Sequence, residues 1–184
     1  MRTLIKNGLV YDGSGGTPFR KDVLIKDGFI EAVTESAEAY GMEMTRAAAS
    51  GAEAAAAEVI DASGLVVTPG FIDTHRHCDI DALYNPEFGR LEMAQGLTTV
   101  IGGNCGLAPI PAPKQYRRDI YDFIEPCLGI APEEMAIERF GDYLEELGKR
   151  ELPLHVGSLL ATGTLKAAIK GYGKGPFTRQ EMDQ

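Results

Sequence analysis

The feature that most constrains how this chain can fold is a change of texture at Pro69. Before it, apolar pieces are short and separated by turn residues; after it, strand-like and helix-like stretches alternate. Such alternation specifies a parallel sheet, because parallel strands need long connections and helices supply them. Strands are predicted over residues 71–74, 97–102 and 152–160, the first of them buried, with helices over 90–95, 132–148 and 164–170. The 132–148 helix gathers Met135, Ile137, Phe140, Leu144 and Leu147 on one side. Glu133 and Glu134 suit its positive end, and Gly148 stops it ahead of Lys149 and Arg150. Thr178, Arg179, Gln180 and Glu181 make a capping box that opens a further helix shortly before Gln184, which predicts a boundary cut inside a larger folding unit.

Residues 1–70 read differently. Strands are predicted over 3–10, 22–25, 29–33 and 59–62, with a loop at the DGSGG run that begins at Asp12. Lys26-Asp27-Gly28 between DVLI and FIEAV is a hairpin signal, since Gly28 accepts the positive φ that such turns demand. A second turn at Asp61, Ala62, Ser63 and Gly64 introduces LVVTPG. Many short strands ahead of any long helix predict part of a small β domain. The alanine-rich residues 38–58 read equally as a helical excursion or a mobile loop.

Composition narrows the partners. Hydrophobic residues at 44% and charged residues at 24% are ordinary for a soluble globular protein. No apolar run approaches the roughly 18–20 residues of a membrane span, and the opening MRTLIKNGLVYDG lacks the apolar core of an export signal. No membrane partner and a cytoplasmic location are therefore expected. A net charge of -9, with its basic residues scattered, argues against a nucleic-acid partner. Three cysteines, Cys78, Cys105 and Cys127, suit a reducing compartment better than a disulfide framework.

His75-Arg76-His77 is the sharpest chemical signal. On a strand, residues i and i+2 face the same way and offer two imidazoles to one ion, and the preceding GFID puts the pair at a strand's C-terminal end. In a barrel enzyme that end carries the chemistry. Taken by themselves the residues leave structural histidines as an equal alternative. Cys105 follows the second strand and so lies at the same mouth; its type alone favours a packed structural cysteine over a ligand. Asp73 shares the strand face of His75 and is a candidate to orient a ligand, or to make a buried hydrogen bond without further role. Arg76 and Asp79 are candidate substrate contacts at a loop mouth, where charged side chains are usually solvated. Cys78 points away from His77 and reads as packing, Cys127 has no ligand neighbour, and His155 stands at the wrong end of the third strand. Gly70, Gly102, Gly103 and Gly106 read as loop glycines or as places where backbone must turn tightly.

The run VVTPGFIDTHRH, from Val66 to His77, resembles the PGxxDxHxH signature of the amidohydrolase superfamily. The likeness continues through Gln95, Gly96, Leu97, Thr98, Thr99 and Val100, through Gly103, Asn104, Cys105 and Gly106, and includes Asn7-Gly8 and Asp12-Gly13. In this longer form it is similar to the D-aminoacylase branch, the N-acyl-D-amino-acid deacylases. The resemblance implies an α/β fold: a small N-terminal β-sandwich portion over residues 1–70, interrupted by the 38–58 insertion, and the first part of an incomplete (β/α)8 TIM-like barrel over 71–184. It implies that His75 and His77 bind a divalent ion, usually zinc, that Cys105 joins or bridges the centre, and that a complete site holds one or two ions. Asn104, with Asp73, Arg76 and Asp79, becomes a candidate for bracing ligands or meeting substrate. Thr162 departs from the histidine that relatives carry in a GHxTLR run, which bears on substrate contacts more than on the fold.

The implied reaction is hydrolysis of the amide bond of a small molecule, an N-acyl-D-amino acid, by metal-activated water. The aspartate that moves the proton, and two further histidines, belong in the family to later barrel strands, so the catalytic residue is expected outside these 184 residues. The chain alone is then expected to be inactive and to need a complementary C-terminal polypeptide, or the remainder of a nicked chain. Two other readings stay open from sequence: a cyclic-amide hydrolase of the hydantoinase or dihydroorotase type, and a noncatalytic assembly subunit.

Overall fold

The computed structural model describes residues 2–35 and 57–183. They form two compact units, Met1–Pro69 and Gly70–Gln184. Apart from its last two residues, the alanine-rich segment 38–58 lies outside the described residues.

The first unit contains seven described strands: β1 (Arg2–Lys6), β2 (Leu9–Val10), β3 (Phe19–Arg20), β4 (Asp22–Lys26), β5 (Phe29–Thr34), β6 (Ala57–Asp61) and β7 (Val66–Val67). They make a four-stranded sheet in the order β5-β4-β1-β6 and a three-stranded sheet in the order β3-β2-β7. Leu4 and Leu24 face each other across β1 and β4 and are buried with Ala32 against them, so one apolar cross-strand pair anchors the larger sheet. The hairpin between β4 and β5 turns through Asp27 and Gly28, both at positive φ, as the sequence expected.

The single strand expected over residues 3–10 is instead two, each in a different sheet. The break is at Asn7, whose φ is 64°. Asparagine tolerates that conformation because its side chain bonds locally; here Nδ2 donates to Asp61 Oδ1 and the backbone amide donates to Asp22 Oδ1, each at 3.0 Å. Gly8 completes the break, since a Cβ there would sit 2.4 Å from Val67 Cγ2.

The second unit is built on β8 (Phe71–Asp73), β9 (Leu97–Gly102) and β10 (His155–Ser158), all parallel, in the order β10-β9-β8. Helices α1 (Asp81–Tyr84) and α2 (Arg90–Ala94) connect the first two strands; α3 (Arg117–Leu128) and α4 (Phe140–Gly148) connect the next; α5 (Thr162–Lys170) and α6 (Arg179–Met182) follow. This is a mixed α/β fold with a parallel, unclosed sheet of the incomplete TIM-barrel kind. Val100, central in β9, packs with Leu83, Phe88, Ile110, Tyr143 and Leu147 in the main core. Each such side chain contributes about 1.5–3 kcal/mol when fully buried. Among the described residues, no helix is long and apolar enough to cross a membrane.

Two expectations for this unit need correction. The helix expected over residues 132–148 is formed only from Phe140 onward. The preceding residues are tied back to the segment before α3, where the Ala112 amide donates to the Glu138 carbonyl and Arg117 pairs with Glu138. Helix α3 itself was not expected, although Ile120, Ile124 and Leu128 recur at a spacing of four and are all buried; Pro126 inside it hides the pattern. The buried first strand is in fact exposed: Phe71 and Ile72 are 57% and 63% accessible, because β8 is an edge strand paired only with β9. The capping box at Thr178 and Glu181 is formed in both directions.

One contact ties α4 to the sheet's C-terminal end. Tyr143 is fully buried and its hydroxyl donates to the Asp79 carbonyl at 3.0 Å. Tyr143→Phe leaves that buried carbonyl without its donor, which is expected to cost about 1–3 kcal/mol. The measurement is a urea unfolding curve whose midpoint falls while its slope is unchanged; an unmoved midpoint would show that the bond adds nothing.

Candidate metal centre

Strand β8 ends at Asp73, so His75 and His77 stand just past the strand rather than on it. The alternation nevertheless persists, because the Arg76 amide donates to the Ile101 carbonyl of β9 at 3.0 Å and keeps the segment in sheet-like register. The two imidazoles therefore emerge on one side, with ring centroids 5.6 Å apart in an edge-to-face arrangement. Asp73 Oδ1 accepts the His75 backbone amide at 3.0 Å, so this carboxylate fixes the main chain that carries His75, not its ring.

Cys105 reaches the same place by a tight turn. Gly103, Cys105 and Gly106 all have positive φ, at 71°, 57° and 73°. For cysteine this conformation costs about 1–2 kcal/mol. The Asn104 side chain holds the turn onto β9, donating from Nδ2 to the Ile101 carbonyl at 2.8 Å and to that of Gly102 at 3.4 Å. Gly103 admits no side chain, since a Cβ would lie 2.1 Å from the Leu159 carbonyl oxygen. The turn presents Cys105 to solvent, with Sγ 3.2 Å from His75 Nε2.

Donor atoms of His75, His77 and Cys105 all lie within 4.8 Å of one another. Tetrahedral ligation at about 2.0–2.3 Å requires donors about 3.3–3.8 Å apart. The His75–Cys105 pair, at 3.2 Å, falls just short of that range, and the others need no more than about 1.5 Å of side-chain adjustment. His77 Nδ1 is buried without a hydrogen-bond partner among the described residues, a costly state for a ring nitrogen that ligation at that atom would relieve. Two imidazole nitrogens and one thiolate sulfur form a donor set suited to zinc. The cluster is thus capable of coordinating a divalent metal.

The remaining candidates have other positions. Arg76 forms an ion pair with the largely buried Glu92 and lies 3.9 Å from Asp73 Oδ2, so its guanidinium braces the histidine segment from behind. Asp79 is not a solvated mouth residue: it is 1% exposed, and burial raises its pKa, an effect that the backbone amides of Asp79 itself and of Gly103 partly oppose. Its burial departs from the solvated mouth that a charged loop residue suggests, and the every-second-residue spacing of His75 and His77 continues to Asp79. Cys78 is packed in the core, where burial and then the neighbouring Asp79 charge push its thiol up to about 12. His155 pairs with Thr99 at the start of β10, away from the Gly102 end that carries the cluster. Cys127 is exposed on α3. Thr162 begins α5 beside the cysteine turn, where Gly163 approaches so closely that a Cβ would sit 2.5 Å from the Gly106 carbonyl oxygen.

Comparison with known proteins points the same way as this geometry. A family model described as the amidohydrolase family matches residues 58–167, more than half of the chain. N-acyl-D-aspartate deacylase of Alcaligenes xylosoxydans xylosoxydans is 31% identical, over 90% of this chain and 29% of that protein. D-aminoacylase of the same organism is 32% identical, over 90% of this chain and 30% of that protein. The crystal structure of N-acyl-D-glutamate deacylase from Bordetella bronchiseptica, complexed with zinc and a phosphonate inhibitor, superposes with a TM-score of 0.73 at 26% identity, covering 98% of this chain and 34% of that one. The chain spans about a third, or less, of the length of these relatives.

Proposed function

The chain belongs to the amidohydrolase family, in its D-aminoacylase branch, and from that premise we propose that it carries part of the metal site of a hydrolase acting on the amide bond of N-acyl-D-amino acids. The observation that carries this reading is the convergence of His75, His77 and Cys105 donor atoms within 4.8 Å at the C-terminal end of a parallel sheet. In this reading residues 1–70 contribute to a small β-sandwich domain, and residues 71–184 supply the first three strands of a barrel.

His75 and His77 hold the ion through ring nitrogens and Cys105 through its sulfur. When bound, a divalent ion such as zinc supplies Lewis-acid polarisation of a carbonyl and makes water a usable nucleophile at neutral pH. The protein's share is positional. Asp73 and Arg76 fix the main chain beneath His75, and Asn104 fastens the cysteine turn to β9. Beside Cys105 opens a hollow of about 310 Å³ whose walls include Leu107, Phe123 and Tyr172, with Lys166 as the charged residue. Apolar walls and one cation suit an acyl amino acid, which pairs an apolar body with a carboxylate.

The proton for the departing nitrogen is assigned to an aspartate on a later barrel strand, supplied by further polypeptide that completes the sheet. A cytoplasmic setting fits this reading, since Cys78, Cys105 and Cys127 are all free thiols.

Cys105→Ser tests the proposal. Loss of the soft ligand is expected to weaken zinc retention by at least about tenfold, the lower bound seen for outer contacts of metal sites, read by competition with a chromogenic chelator. Unchanged zinc stoichiometry, affinity and turnover would return Cys105 to a packing role.

A further inference from the structure

Asp79 is not one of the three clustered donors, yet its placement is expensive. Its carboxylate is buried, and Oδ2 has no partner among the described residues. Burying a charged or polar group without full compensation costs free energy that packing alone does not require.

What it touches explains the cost. Asp79 follows His77 by two residues, and its carboxylate is wedged against the end of β9, where a Cβ on Gly102 would fall 2.6 Å from Oδ1. Oδ1 also accepts the Ser158 hydroxyl at 3.5 Å, at the end of β10. The Asp79 carbonyl accepts the Tyr143 hydroxyl from α4. One residue therefore links the histidine segment to two strand ends and a helix. The turn it presses on is held by several hydrogen bonds: Asn104 ties it to Ile101 and Gly102, and the Leu159 amide donates to the Gly102 carbonyl at 3.0 Å. Gly102 and Gly103 lead through Asn104 directly into Cys105.

We propose that Asp79 is a positioning residue, which sets the distance between the segment bearing His75 and His77 and the turn bearing Cys105. This deepens the metal-site reading above and rests on it. The required property is the shape and acceptor oxygen of the side chain, so Asp79→Asn preserves the function and Asp79→Ala removes it.

The test uses the purified protein in its native assembly, with cobalt(II) replacing the resident metal. A cysteine ligand gives a sulfur-to-cobalt charge-transfer band, and the d–d bands report whether the ion is still held in a tetrahedral site. The wild-type protein shows both. Asp79→Ala is expected to lose most of the charge-transfer band and to bind cobalt about 10- to 100-fold more weakly, whereas Asp79→Asn keeps the band. Far-ultraviolet circular dichroism checks the fold. If Asp79→Ala does not fold, Gly102→Ala, whose methyl displaces the carboxylate from the other side, carries the same expectation. A full band in the folded Ala variant, or equal loss in Ala and Asn, overturns the positioning role while the metal reading stands. Absence of the band in the wild type overturns the Cys105 ligand assignment, and the proposal with it.

Discussion

In the assembly that completes the barrel, His77→Ala is expected to empty the metal site and abolish amide hydrolysis while leaving the fold in place, and His75→Ala is expected to do the same. Each histidine is one of three donors that the chain brings together, so its removal leaves two. Outer contacts of metal sites already cost about 10- to 100-fold in affinity when lost, and a ligand must cost more. The fold should tolerate both changes. Neither ring belongs to the main core around Val100 and Tyr143, and both lie beyond the end of β8. Metal-free forms of the variants are expected to unfold within about 0.5 kcal/mol of the metal-free parent. Metal content by elemental mass spectrometry, with melting curves of the metal-free proteins, checks both halves. Retained stoichiometry with retained turnover would remove the histidines from the site.

An equally complete loss is expected when the 184 residues are studied by themselves. With saturating zinc, turnover of N-acyl-D-amino acids should be undetectable, and it should return when the polypeptide completing the barrel is added. Among the described residues the sheet of the second unit is open: β8 and β10 each pair on one side only. Phe71 and Ile72 on β8, and Leu159 and Leu160 just after β10, are about half exposed or more. Open edges and apolar surface of this kind favour association with more chain. The chain also supplies no carboxylate at its metal cluster, among the described residues, to receive and pass on a proton. A stable zinc-loaded monomer of this chain with turnover typical of an enzyme would contradict the expectation. A complementary polypeptide that restores nothing would contradict the partner assignment.

The sequence was most legible where a single residue type has a single physical use. Gly28 marked its hairpin, Thr178 with Glu181 marked its capping box, and Leu97 to Gly102 marked its strand without error. That His75, His77 and Cys105 share one end of the sheet was legible because residues just past neighbouring parallel strands lie at the same mouth, whereas the ligand reading of Cys105 came from the resemblance carried by its GNCG run. Legibility failed where two forces compete. Residues 132–139 carry helical periodicity, but the pull of Ala112 and Arg117 on Glu138 keeps them out of the helix. Pro126 concealed α3, and Asn7 broke a strand whose apolar pattern runs straight through it. The burial of Asp79, already a candidate for bracing ligands or meeting substrate, was not legible. A charged residue in a loop is ordinarily solvated, and its burial follows from long-range contacts with Gly102, Ser158 and Tyr143 that no local pattern announces.

X-ray absorption at the zinc edge, on the zinc-loaded protein in its native assembly and on its Cys105→Ser variant, bears most directly on the proposed metal centre. Imidazole nitrogens at about 2.0–2.1 Å together with a sulfur shell at about 2.3 Å are expected, with a variant spectrum from which the sulfur shell alone has gone. A parent spectrum with only oxygen and nitrogen neighbours, or a sulfur shell that survives in the variant, would contradict this expectation.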